Sequence, residues 1–172
     1  MSNLIVPAPL WRRLASATYD GLLLLGLWMA AALIEVIVRQ QMLGLPRSAA
    51  WMQLYFFAIG LGFFGWSWTR GGQTLGMHAW RLQVRRLDAA SLRWPIALLR
   101  YTAMLTTWAV VLTPGLLLIP RYAQHDAMRP IALACVLVTV VAAAWMRADA
   151  RRRAPCDWVS GTEVVQLPRA QG

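Results

Sequence analysis

Lysine is absent from this chain of 172 residues, so all 17 basic residues are arginines, and acidic residues number seven. Charged residues of all types make up 14% of the sequence, against 59% for hydrophobic residues. The charges cluster between long apolar runs, which excludes an ordinary soluble domain and indicates a bilayer protein. The lack of lysine also excludes a Walker-type phosphate loop, because that loop uses a lysine to reach the phosphates.

Histidine and cysteine are also scarce, with two of each. His78 and His125 fall in loops predicted on opposite sides of the membrane, so they cannot share a metal or catalytic site. Cys135 lies within a predicted span and Cys156 beside the membrane, so a disulfide between them is disfavoured. We therefore expect neither an enzyme nor a cofactor or metal site. The net charge of +10 is explained by arginines that flank apolar spans, and we expect no nucleic-acid partner.

Four apolar segments are each long enough to cross about 30 Å of hydrocarbon, which takes about 20 helical residues. They predict an all-α membrane protein, a four-helix transmembrane bundle in one domain over residues 1–172. The first apolar run is too long for the apolar core of a signal peptide, so we predict an uncleaved span. The predicted spans are Leu14–Val38, Trp51–Thr69, Pro95–Ile119 and Pro130–Met146, with a loop over 70–94 and a tail over 147–172.

The arginines are unevenly divided between the two sides of the predicted bundle. The N-terminal segment, the 70–94 loop and the tail hold 12, and the other two loops hold four. The positive-inside rule therefore predicts that both termini are cytoplasmic. Arginine in place of every lysine is typical of a GC-rich bacterial genome, so we expect the bacterial inner membrane. The four arginines on the opposite side are Arg39, Arg47, Arg121 and Arg129.

The cytoplasmic loop carries a pattern that differs from the spans. Trp80, Leu82 and Val84 alternate with polar residues, which is the period of a strand with one buried face. An amphipathic surface helix is the alternative for this segment. Residues 162–167 of the tail form a second β-prone run, and we predict that the two runs pair beneath the membrane.

Two glycine-containing motifs have different interpretations. The run from Gly60 to Gly65 matches a dinucleotide-binding pattern, but it lies inside a span, where small residues allow close helix packing. The second motif follows span two and suits a tight turn, with side chains that satisfy exposed backbone groups. Alternatively, its backbone amides meet an anion or a lipid head group beside Arg70. This loop motif consists of Gly72, Gln73, Thr74 and Gly76.

Two charges interrupt the apolar spans at matching depth. Asp20 lies seven residues after Arg13 in span one, and Arg100 lies seven residues after Arg93 in span three. Because an ionised side chain inside the bilayer is costly unless it is paired, we predict that Asp20 and Arg100 interact. The pair either fixes helix register or forms a cation or proton site. Near the outer end of span one, Glu35 and Arg39 have the spacing of a solvated helical ion pair.

Four blocks follow one another in a characteristic order: Arg13–Gly21, Gly72–Gly76 with Arg81–Val84, the later Arg100, and Cys156–Val165. In these blocks the sequence resembles the RDD family of bacterial membrane proteins, which is named for one arginine and two aspartates. Matched by position, these residues are Arg13, Asp20 and Asp157. We predict that Arg13 and Asp157 pair near the cytoplasmic surface; the alternative is that Asp157 caps a turn before Gly161.

The resemblance implies transport, because the family includes members linked to sodium–proton exchange. On this interpretation the chain is a small secondary transporter, assembled as a homo-oligomer or with a membrane-protein partner. It would exchange a cation such as sodium for protons. The alternative is a non-transporting adaptor, whose arginine-rich cytoplasmic face binds anionic lipid head groups or a protein partner.

Overall fold

The computed structural model describes residues 6–46, 48–88 and 90–168. It contains four helices that are long and apolar enough to cross a membrane, which confirms the predicted four-span bundle. When the π-helical and 3₁₀ continuations of two of them are included, the helical segments Leu10–Met42, Ala49–Arg70, Trp94–Leu118 and Met128–Ala148 agree with the predicted spans to within four residues. Arg47 and Arg169, which entered the arginine count, lie outside the described residues. The four long helices are α1 (Leu10–Glu35), α2 (Ala49–Arg70), α4 (Trp94–Leu112) and α6 (Met128–Ala148).

Local sequence accounts for how these helices begin and end. The Ser48 hydroxyl caps α2 by accepting a hydrogen bond from the Trp51 amide at 3.4 Å, and α4 carries Pro95 in its first turn. α1 continues as a π-helix over Val36–Met42, and α4 as a 3₁₀ helix over Thr113–Leu118. The shorter elements are β1 (Val6–Pro7), α3 (Leu75–Ala79), β2 (Leu82–Arg86), α5 (Pro120–Ala123), α7 (Pro155–Val159) and β3 (Thr162–Gln166).

The outer end of α1 carries the predicted ion pair in a different environment. The Arg39 guanidinium lies 3.6 Å from the Glu35 carboxylate, but the Glu35 side chain is buried, not solvated. Gln40 donates a further hydrogen bond to Glu35 at 3.2 Å, and Arg39 lies over the ring of Trp51. Trp51 belongs to the first turn of α2, so α2 contributes to the surroundings of this ion pair.

A small antiparallel sheet closes one end of the bundle, with the strand order β1-β3-β2. β2 pairs with β3 in the register Val84↔Val164, which confirms the predicted pairing of loop and tail. The surface-helix alternative is therefore wrong for Leu82–Arg86. Leu82, Val84 and Val164 are buried in the main core. Because β1 belongs to the same sheet, the first and last described strands lie at the same end of the bundle.

The chain repeats its architecture. Each half consists of two long helices, a five-residue helix and a five-residue strand, α1-α2-α3-β2 and then α4-α6-α7-β3. The spacing is 80 residues, since α3 begins at Leu75 and α7 at Pro155, while β2 begins at 82 and β3 at 162. In each half a residue with positive φ, Arg81 or Gly161, joins the short helix to its strand. Corresponding helices of the two halves run in the same direction through the bundle. This arrangement is typical of parallel repeats, which are related by an axis along the membrane normal.

Aromatic side chains fill the interface between α2 and α4. The ring of Tyr101 lies 5.2 Å from Phe57 and 5.9 Å from Phe64, measured between ring centroids. Phe64 in turn packs on Trp68 at 5.2 Å. These rings approach closely because Gly60 lies under the Tyr101 hydroxyl, where a Cβ atom would be 2.1 Å from that oxygen. The glycine pattern of span two therefore serves helix packing in this structure.

We predict that Gly60→Ala destabilises the bundle by about 1–3 kcal/mol, because the added methyl group displaces Tyr101 from a filled interface. Thermal unfolding in detergent, followed by tryptophan fluorescence, measures the effect. Gly62→Ala is the matched control, since its Cβ would meet nothing within 4 Å, and it should leave the unfolding temperature unchanged or slightly raised. Adding Tyr101→Phe to Gly60→Ala should recover most of the loss. Equal effects of the two alanine variants would contradict this assignment.

Candidate functional site

Asp157 lies at the centre of a buried charge cluster below the bundle. Its side chain is fully buried and forms ion pairs with Arg13 of α1 and Arg100 of α4. The Arg100 Nη1 atom lies 2.5 Å from Asp157 Oδ1, and Arg13 Nη2 donates to Oδ2. The backbone amide of Ala154 also donates to Oδ2 at 2.9 Å, so Asp157 caps the start of its own helix. The predicted Arg13–Asp157 pair is therefore present. Asp157 also acts as a cap, but at the start of α7 rather than at the turn before Gly161.

The electrostatics of this cluster keep Asp157 ionised. Burial alone would raise the pKa of Asp157, but the nearby guanidiniums of Arg100 and Arg13 hold it below its ordinary value. Burial raises the pKa of the neighbouring Cys156 thiol, so that sulfur stays protonated and is a poor nucleophile. Two positive charges against one negative charge leave the cluster with an excess positive charge.

Three further side chains surround Arg100, and no sequence pattern indicated them. The hydroxyl of Thr162 accepts a hydrogen bond from Arg100 and is 2.8 Å from the hydroxyl of Ser160. The Arg100 guanidinium lies 5.0 Å from the centroid of the Trp68 ring, a cation–π arrangement. Ser160 and Thr162 lie inside the block Cys156–Val165 that carries the family resemblance, but nothing in their spacing indicates which charge they contact.

Asp20 lies in a second buried cluster, whose donors are neutral. The backbone amide of Gly76 donates to Oδ1 at 2.8 Å, and the hydroxyl of Thr74 donates to Oδ2. Thr74 also caps α3 by accepting a hydrogen bond from the Met77 amide at 3.1 Å. Among the described residues, no arginine or histidine pairs with Asp20. A buried carboxylate with two neutral donors thus joins α1 to the loop motif.

The loop motif has the turn geometry that the sequence predicts. Gly72 has a φ of +67°, and a Cβ atom there would lie 2.6 Å from the carbonyl oxygen of Val84. Gln73 donates to the Leu82 carbonyl at 2.7 Å, which fixes the turn on β2. At Gly76 a Cβ atom would lie 2.5 Å from the Ser16 carbonyl oxygen, so only glycine fits against α1. The anion that the Gly76 amide meets is the carboxylate of Asp20.

The predicted interaction between Asp20 and Arg100 is wrong. Each residue contacts the short helix of its own half: Asp20 reaches the α3 segment, and Arg100 reaches Asp157 on α7. The two positions are 80 residues apart and are therefore equivalent in the repeat, which explains their equal depth. The prediction failed because it considered partners on the spans alone, whereas α3 and α7 fold back against the bundle and supply them.

The candidate residues therefore divide between two separate clusters and not one site. Arg13, Arg100 and Asp157 come together, while Asp20 joins Thr74 and Gly76. Within the described residues, no group of three or more His, Cys, Asp or Glu side chains is placed to hold a metal ion. Chemically, the first cluster fixes charge and position, and the second holds a carboxylate whose described partners are all neutral donors.

We predict that Asp157→Asn destabilises the protein by roughly 3 kcal/mol or more, because two buried guanidiniums lose their carboxylate. A depressed pKa in the folded state means that ionised Asp157 stabilises the protein above its ordinary pKa of about 3.9. That stabilisation is lost as the pH falls through the lower pKa that Asp157 has in the folded state. Acid titration of thermal stability should therefore show a step below about pH 4 in wild type that is smaller in the variant.

The exposed pair of Asp88 and Arg86 provides the control, because Asp88→Asn should change stability by less than about 0.5 kcal/mol. If Asp157→Asn is equally mild, the cluster does not hold the fold together. Exchanging Arg13 and Asp157 with each other is not a suitable test, since Arg100 would then face a second arginine.

Comparison with protein families gave a match. The model of the RDD family matches residues 7–161, which include Arg13, Asp20, Arg100, Asp157 and all four long helices. Comparison with curated proteins and with solved structures found no match. Since the match covers most of the chain, the protein belongs to the RDD family.

Proposed function

We propose that this protein is a non-enzymatic membrane adaptor, whose arginine-rich end binds anionic phospholipid head groups. The observation that carries the proposal is a set of exposed arginines around the sheet, here called the basic face. Among the described residues, none of these arginines takes part in an ion pair. The basic face comprises Arg70, Arg81, Arg93, Arg147, Arg151 and Arg152.

The acidic residues at this end do not neutralise the basic face. Asp157 and Asp20 are buried. Glu163 and Asp149 are partly buried and paired with Arg85 and Arg153. The exposed Asp88 is paired with Arg86. An exposed arginine near an anionic membrane surface contributes about 1 kcal/mol of attraction. Six such residues give a strong preference for an anionic leaflet, which supports a cytoplasmic orientation in a bacterial inner membrane.

The fold presents this face in a preformed arrangement. The Asp157 cluster ties α7 and β3 to both α1 and α4, and Asp20 ties the segment before β2 to α1. Because the arginines are carried on elements held in this way, little ordering entropy opposes binding. The aromatic packing between α2 and α4 also favours an adaptor, since rings rather than polar side chains fill the interface between these two helices.

The test uses purified protein and native mass spectrometry, counting bound phosphatidylglycerol against phosphatidylcholine. We expect wild type to retain phosphatidylglycerol in preference. The double variant Arg70→Gln/Arg93→Gln should lose about 2 kcal/mol of binding, or about 30-fold in affinity. The matched control is Arg121→Gln/Arg129→Gln, which removes two arginines from the opposite end and should have a smaller effect. Equal retention of both lipids by wild type would disprove the proposal.

Cation or proton exchange at Asp20 is the second candidate function. It is favoured by a buried carboxylate on a membrane-spanning helix that has neutral donors and no basic partner among the described residues. A proton on this carboxylate would turn one acceptor oxygen into a donor. A cation would compete with Thr74 and Gly76 for the same oxygens, so occupancy would loosen the contact between α1 and the loop motif.

Ion flux in proteoliposomes separates the two functions. With a sodium gradient and a pH-sensitive dye inside the vesicles, exchange predicts a pH change in wild type that Asp20→Asn abolishes. The variant keeps the size of the side chain and an oxygen that can accept from Gly76, so it should fold. Flux that is absent from wild type, or unchanged in Asp20→Asn, would exclude Asp20 as the exchange site.

A further inference from the structure

A small pocket of about 250 Å³ lies where the start of α1 comes close to the end of α6. It is lined by Leu10, the first residue of α1, by Met146 and Arg147 in the last turn of α6, and by Arg152 in the turn that follows. Two of these residues are apolar and two are cationic. We call this cavity the α1–α6 pocket; its two arginines are exposed and belong to the basic face.

The positive charge of this pocket is not neutralised by an acidic side chain. Neither Arg147 nor Arg152 forms an ion pair within the described parts of the chain. Asp149 is the one acid between them in the sequence, and its carboxylate accepts three hydrogen bonds from Arg153 at 2.9–3.1 Å. The first turn of α1 contains no acidic residue. The pocket is therefore suited to an anion.

The backbone at Arg152 adopts a conformation that favours glycine. Its φ is +51°, in the left-handed region that is unfavourable for a residue with a Cβ atom. The equivalent residue of the first half, 80 positions earlier, is Gly72 with a φ of +67°. The opposite exchange occurs at Arg81 and Gly161, whose φ values are +55° and +60°. Non-glycine residues in this region cluster at functional sites, and Arg152 is the one of these two arginines that lines the pocket.

The buried Asp157 cluster holds this wall of the pocket in place. The guanidinium of Arg13 donates a hydrogen bond to the carbonyl oxygen of Arg152 as well as to Asp157. The backbone amide of Arg152 donates to the Asp149 carbonyl at 2.9 Å. Both contacts use the backbone of Arg152 and leave its guanidinium available. Because the backbone is fixed in advance, little ordering entropy opposes binding of a ligand there.

We propose that the α1–α6 pocket binds a phosphate group, and that Arg147 and Arg152 donate hydrogen bonds to its oxygens. Guanidinium groups match phosphate in charge and in hydrogen-bond geometry. The inference rests on the proposed lipid-binding function, and it assigns one head-group phosphate to a fixed site on the basic face. A lipid phosphate and a free phosphate ion share this chemistry, and the experiment distinguishes them.

Native mass spectrometry of the full chain tests the site with phosphatidylglycerol and with diacylglycerol of the same acyl chains, which lacks the phosphate. Wild type should retain phosphatidylglycerol in preference. Arg152→Gly should weaken its binding roughly tenfold or more, because hydrogen bonds to a charged group are lost. Arg81→Gly is the matched control, since it removes an exposed arginine from the same backbone conformation outside the pocket. It should cost about fivefold or less, the effect of one surface charge.

A second pair of variants tests the other arginine of the pocket. Arg147 lies in the last turn of α6, and Arg70 lies in the last turn of α2, the equivalent helix of the first half. We expect Arg147→Gln to weaken phosphatidylglycerol binding roughly tenfold or more, and Arg70→Gln about fivefold or less.

Unfolding temperatures within a few degrees of wild type establish that each variant is folded. Glycine adopts a positive φ without steric cost, so Arg152→Gly should meet this criterion. If it does not, Arg152→Asn and Arg81→Asn carry the same expectations, because asparagine is also tolerated at positive φ.

Inorganic phosphate, compared with chloride at equal ionic strength, identifies the source of the phosphate group. Phosphatidylglycerol that stays bound in both salts supports a lipid phosphate in the pocket. Displacement by phosphate alone, in wild type but not at the sites that remain in Arg152→Gly, supports a pocket that takes the free ion.

Three results would overturn the proposal. Equal retention of phosphatidylglycerol and diacylglycerol by wild type would show that the phosphate is not recognised. Equal effects of Arg152→Gly and Arg81→Gly would leave general charge attraction and no fixed site. Loss of phosphatidylglycerol in Arg70→Gln/Arg93→Gln but not in Arg152→Gly would retain the basic face as the lipid-binding surface and reject the pocket. The reverse pattern would retain the pocket and reject the basic face as a whole.

Discussion

The buried carboxylate of Asp157 is the constraint on which the rest of the structure depends. A lone carboxylate in this position would be strongly unfavourable, so its burial requires both Arg13 and Arg100 to reach it. These arginines come from the first long helix of each half. Asp157 itself precedes β3, the central strand of the sheet. One residue therefore joins α1, α4 and the sheet, and it sets where the basic face lies relative to the membrane.

The repeat explains why the two halves use different chemistry at equivalent positions. Asp20 and Arg100 stand 80 residues apart, and each contacts the short helix of its own half. In the first half a carboxylate accepts hydrogen bonds from a hydroxyl and an amide, and it has no counter-charge within the described residues. In the second half an arginine joins an ion-pair cluster. The second arrangement holds α7 to α4, and the first holds the loop motif to α1.

Most of the recognisable chemistry of the molecule lies at the sheet end of the bundle. Both buried clusters and the basic face are there, while the helices beyond them are joined by aromatic packing. Such a distribution suits a protein that acts at one membrane surface. Two features therefore bear on function: the positive charge of that surface, and whether a proton or a cation binds Asp20.

The sequence by itself determined the four spans, the shared side of the two ends and the β2–β3 pairing. These features follow from patterns that are local in the chain, namely apolar run length, arginine density and alternation. The family resemblance further indicated Arg13, Asp20 and Asp157, and the Arg13–Asp157 pair followed from their position near one surface. Tertiary structure alone decided the partners of Asp20 and Arg100. Those partners come from short helices that fold back beneath the bundle, and no local pattern specifies which buried charge such a segment will meet.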